Sequence, residues 1–113
     1  MITNKFTIKA FDTNTEFKDN LSIGSARNYK IDLSPWAEEN GNITSATWTV
    51  KRGSASVSNK TLSSNVVNAL ITFNSAETNL IKIELDTGTA KKIVWLTVRV
   101  YNPEDNYVRD YNF

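Results

Sequence analysis

The side chains able to do chemistry are few in this sequence and poorly grouped. Histidine and cysteine are both absent. That removes imidazole acid–base catalysis, histidine-based triads, thiolate nucleophiles, disulfides and the usual structural zinc ligands. The carboxylates that fall together are Glu38-Glu39, Glu84 with Asp86, and Glu104-Asp105. The first and last pairs are neighbours in polar turns, where solvated charge is the ordinary state. Neither an EF-hand loop nor another oxygen-ligand motif surrounds them. Asp12, Asn14 and Glu16 share a D-x-N-x-E spacing with calcium loops, but the required glycine and distal glutamate are missing. Glycines at 24, 41, 53 and 88 are too scattered to cradle a phosphate. Glycosylation-type triplets at Asn20, Asn42 and Asn59 are what chance gives in a chain rich in Asn and Thr. The expectation is a protein that is not an enzyme and that uses no metal and no cofactor.

What remains to carry a function is aromatic surface and the elements that position it. With 113 residues, 40% hydrophobic and 11% aromatic, the chain is one domain with a two-layer core. A formal net charge of +1 gives no basic field, so nucleic acid and anionic membranes are not expected partners. No apolar run approaches the ~20 residues of a membrane helix, and Met1 to Lys5 lacks the apolar core of a signal peptide. A soluble protein is expected, acting where it is made or in a particle assembled there.

The elements are read from alternation. Tyr29, Ile31 and Leu33 alternate with Lys30 and Asp32; Ala46, Trp48 and Val50 alternate with Thr47 and Thr49. Period 2 with β-branched and aromatic residues is a half-buried strand. Strands are predicted over 3–11, 28–33, 43–51, 55–62, 66–73, 79–86 and 91–101. Residues 12–27 read as an irregular connection, and Ser34-Pro35-Trp36 with the turn Glu38 to Asn42 as a corner. Asp86-Thr87-Gly88-Thr89 is a hairpin turn with Gly88 at positive φ. Seven strands without helix-period segments predict an all-β, immunoglobulin-like two-sheet β-sandwich of about seven antiparallel strands, with the last hairpin beside the Trp48 strand. Trp48 and Trp36 are its core anchors, Trp36 as a plug at one end. Residues 1–27 are a candidate N-terminal arm, 28–101 the sandwich, and 102–113 an aromatic C-terminal tail. The basic pairs Lys51-Arg52 and Lys91-Lys92 fall at strand edges, where they discourage pairing with a stranger.

One stretch is similar to something known. Asp32, Ser34 and Trp36, then Gly41, then Ile43, Ser45, Thr47, Trp48, Thr49 and Val50 resemble the small immunoglobulin-like tail and fibre-adaptor proteins of tailed bacteriophages. The resemblance is confined to residues 32–50; later strands share its rhythm but not its letters. It implies a virion component assembled in the host cytoplasm, bound to tail, fibre or capsid subunits or to further copies of itself. Its role would be an adaptor, or alternatively a capsid decoration protein.

The strongest predicted strand, 91–101, places Val94, Leu96, Val98 and Val100 on one face and Ile93, Trp95 and Tyr101 on the other. With the first face in the core, Trp95 and Tyr101 form an outward contact patch. In the tail, Asn102 and Pro103 suit the start of a helical turn that puts Tyr107 and Tyr111 on one face, with Phe113 following. The predicted partner-binding residues are therefore Trp95, Tyr101, Tyr107, Tyr111 and Phe113, acting by insertion into a groove or alongside strand addition at an open edge. A carbohydrate- or host-surface-binding module is the other class considered, with Trp36 or Trp95 stacking on a sugar.

Overall fold

Alternation along the strands decides which side chains meet between two sheets. The computed structural model describes residues 3–8 and 16–102. Their elements are β1 (Thr3–Thr7), β2 (Glu16–Ser22), β3 (Ala26–Asp32), α1 (Ser34–Asn40), β4 (Ser45–Arg52), β5 (Ser56–Ser63), β6 (Val66–Thr72), β7 (Thr78–Asp86) and β8 (Lys91–Tyr101). One sheet runs β1-β3-β6-β5 and the other β2-β8-β7-β4. Tyr29, Ile31, Val67, Ala69 and Ile71 from the first meet Ile81, Ile83, Leu85, Val94, Leu96 and Val98 from the second, all of them buried. This is the immunoglobulin-like β-sandwich that the alternation predicts, with the β7–β8 hairpin beside β4, the strand of Trp48.

The N-terminal segment departs from expectation. Residues 12–27 read as an irregular connection, yet 16–22 are β2. The described strands number eight, and two pairings are parallel: β1 with β3 and β2 with β8. The segment read as a separate arm thus gives each sheet an edge strand. Phe6 of β1 stacks on Phe17 of β2 with ring centroids 4.2 Å apart. Beside them Asp19 of β2 points inward, and its carboxylate accepts hydrogen bonds from the Tyr29 hydroxyl at 2.9 Å and from the Asn4 side-chain amide. One aromatic stack and one carboxylate therefore tie the sheets along this seam.

The corner after β3 is a helix, not an open turn. The Asp32 carboxylate accepts from the Ser34 N–H at 2.9 Å, and Pro35 sits in the first turn, where its missing donor costs nothing. The hydrogen bonding to Ser34 holds the Asp32 carboxyl below its ordinary range. Trp36 and Ala37 turn into the core, and Gly41 ends the helix at φ 99° with its N–H on the Ala37 carbonyl. Ser64 and Asn65, both at positive φ, make the two-residue β5–β6 turn. Asn65 then knits this end together: its backbone carbonyl accepts from Leu33 N–H, and its side-chain oxygen from Ile43 N–H.

At the other end the β4–β5 crossover is pinned by the β6–β7 segment. Asn79, buried to 1% exposure, accepts from Ala55 N–H through Oδ1, and Glu77 accepts from Ser54 N–H. Gly53 holds φ 94°, and a Cβ there would stand 2.0 Å from Asn79 Oδ1. Gly53→Ala combines left-handed strain with that collision, and is expected to cost about 1–3 kcal/mol, read as a lower urea midpoint with unchanged slope.

Candidate functional site

The outer face of the β2-β8-β7-β4 sheet carries the predicted contact residues. Along β8, buried Val94, Leu96, Val98 and Val100 alternate with outward Ile93, Trp95, Thr97, Arg99 and Tyr101. Register aligns Trp95 with Lys82 of β7 on one side and Glu16 of β2 on the other. The Lys82 ammonium lies 6.0 Å from the centre of the Trp95 ring and 2.7 Å from Glu84 Oε1. The ion held this way attracts the negative face of the ring. The hydrogen bond and charge of Lys82 also keep the Glu84 carboxyl below its ordinary range. Trp95 is accordingly a half-buried, oriented ring in a frame of charges.

Tyr101 lies six residues further along β8, about 20 Å at strand rise. It and Ile93 are each 37% exposed. Ile23, at 40%, sits beside Tyr101, its N–H bonded to the Tyr101 carbonyl. The sequence placed Ile23 in a loop among scattered apolar residues. Its sign was an isoleucine beside a glycine in a turn, where burial is not available. Trp95 and Tyr101 thus share a face without touching. Tyr107, Tyr111 and Phe113 lie outside the described residues.

The other two tryptophans are core. Trp36 is 5% and Trp48 8% exposed, so the stacking platform considered for Trp36 does not exist: its ring belongs to the core cluster that also holds Leu33 and Ile43. Strand addition also meets obstacles. Edge strand β4 has a register shift between Val50 and Arg52, where Lys51 and Arg52 are exposed. Edge strand β5 shifts between Ser58 and Thr61, with Asn59 at φ 50°. On edge strand β2 the Asn20 N–H is taken by the Asp19 carboxylate at 2.9 Å. Bulges, exposed cations and inward carboxylates are the usual means of blunting an edge. Lys91 and Lys92, expected at an edge, instead open β8, an interior strand.

Comparison with known proteins returns the architecture. No protein-family model and no curated protein matches the sequence. Among solved structures, the chain is similar to the cysteine protease inhibitor EhICP2 from Entamoeba histolytica, with a TM-score of 0.58 at 10% identity over 88% of this chain and 95% of the inhibitor. It is also similar to domains 4 and 5 of the S-layer protein SbsC, with a TM-score of 0.52 at 19% identity over 74% of this chain and 40% of that one. At such identities the shared property is the fold, and a sandwich of this kind hosts unrelated functions.

Proposed function

We propose that this chain is a non-enzymatic structural module that joins parts of a larger particle through protein–protein contacts, as tail and fibre adaptors of tailed bacteriophages do. The observation that carries the reading is the outward Trp95, held half-buried between Lys82 and Glu16 on a regular sheet. Large rings fixed in a polar frame give much contact area for little lost side-chain freedom. Of the four edge strands, β2, β4 and β5 are blunted, which favours contact through a face over strand addition there. The resemblance of residues 32–50 to the phage adaptors supports a virion partner, and the absence of histidine and cysteine supports a passive role.

The test places a photo-crosslinking side chain at Thr97 in cells that produce the particle. Crosslinks to particle subunits are expected. Trp95→Ala with Tyr101→Ala should keep the circular dichroism of the native protein and be lost from purified particles. Double-variant protein incorporated as well as native protein would refute the reading.

A further inference from the structure

The outer face of the opposite sheet holds a second feature. Register places Lys5 across from Lys30, Lys30 across from Asn68, and Asn68 across from Thr61, one row over β1, β3, β6 and β5. The next row is Thr7, Asp32, Val66 and Ser63. Lys30, Thr61, Ser63, Val66 and Asn68 line a hollow of about 330 Å³.

Two facts about this row are not explained by the fold. Asn68 Oδ1 is buried and accepts no hydrogen bond among the described residues, although an orphaned buried acceptor is costly. Lys5 and Lys30 are like charges directly opposite on adjacent strands, an unfavourable pairing. The ion pair found among the described residues lies on the other sheet, between Lys82 and Glu84. The Asp32 carboxylate of the next row accepts from Ser34 N–H and also attracts Lys5 and Lys30. The two rows thus hold two cations against one carboxylate and want one donor.

We propose that this row binds an acidic peptide segment of a partner protein. A carboxylate of the segment sits against Lys5 and Lys30, and the Asn68 amide turns into the hollow so that its Oδ1 accepts from a backbone N–H beside that carboxylate. The hydroxyls of Thr61 and Ser63 donate to the segment's carbonyls. Ligands with a carboxylate but no neighbouring donor leave Asn68 unsatisfied. A sugar finds no aromatic platform, because Val66 is the apolar side chain of the lining. The surface is separate from Trp95, so the two faces can engage two partners at once.

The experiment is a nuclear magnetic resonance titration of isotope-labelled protein with acetyl-Asp-Glu-Asp-Glu-amide and, in parallel, acetyl-Asn-Gln-Asn-Gln-amide. Saturable shifts of the Asn68 side-chain amide and the Lys5 and Lys30 signals are expected with the acidic peptide alone. Lys30→Gln and Asn68→Val should each weaken binding about tenfold, while Trp95→Ala leaves it unchanged. Equal response to the neutral peptide, no saturable shift, or undiminished binding by both variants would overturn the proposal and leave a hollow that holds only water.

Discussion

Trp48→Ala should lower the stability of the domain by about 3–5 kcal/mol, the range for removing a buried aromatic from a core. Trp48 is 8% exposed and stands opposite Ile83 at the centre of the β4–β7 ladder. Its neighbours on the inner face, Ala46 and Val50, are smaller and only partly buried, and β4 is an edge strand. The cavity would open toward a strand held by one ladder, so some of the loss should appear as fraying of β4. Urea unfolding followed by circular dichroism measures the total, and hydrogen exchange of Ser45–Arg52 measures the local contribution. The contrast is Trp95→Ala, at a half-buried outward position, with an expected loss of about 1 kcal/mol. Equal losses from the two tryptophans would mean that the assignment of core and contact rings is mistaken.

Asp19→Ala is the second large effect, with an expected loss of about 2–3 kcal/mol. The substitution leaves the Tyr29 hydroxyl and the Asn4 amide without their acceptor. Tyr29→Phe removes one of these donors, so the double variant should lose less than the two single losses added together. Additive losses would show that the two groups do not interact. The same contact predicts behaviour in alkali. Burial first, and then the hydrogen bond and negative charge of Asp19, raise the Tyr29 phenol above its ordinary value of 10.0. A raised value means that the folded state holds its proton more tightly than the unfolded chain does. The resulting stability is complete below about pH 10 and is lost progressively as pH rises beyond it. Tyrosinate absorbance for Tyr29 should therefore appear only together with unfolding, and at lower pH in Asp19→Ala.

The same two residues show what could be read from the sequence. Strands β6, β7 and β8 announce themselves because every second residue is aliphatic, and nothing polar points inward except Asn79. In β2 the inward positions are Phe17, Asp19 and Leu21. The middle one breaks the apolar alternation, because its partners lie on β1 and β3, unknown before the fold. Helix α1 is too short for its period to register. Pro35 at its start and Gly41 just past its end were visible, but an X-Pro step in a run of strands reads equally well as a corner. For the candidate surface, the outward placement of Trp95 and Tyr101 followed from alternation. The charged frame of Lys82, Glu84 and Glu16 did not, since it depends on register between strands far apart in the chain. The row from Lys5 to Thr61 was hidden for the same reason.

The parallel pairing of β2 with β8 bears on how the module would carry load. Seven consecutive residue pairs, Glu16 with Trp95 through Ser22 with Tyr101, join strands that run in the same direction. A pull on the chain before β2, opposed by a pull on the chain after β8, draws the two strands past each other along their length. The rungs of that ladder then bear the tension together in shear, whereas the antiparallel β7–β8 hairpin, tugged at its open end, would unzip rung by rung. A sandwich wired this way resists a pull between those two points more than a hairpin of equal length does.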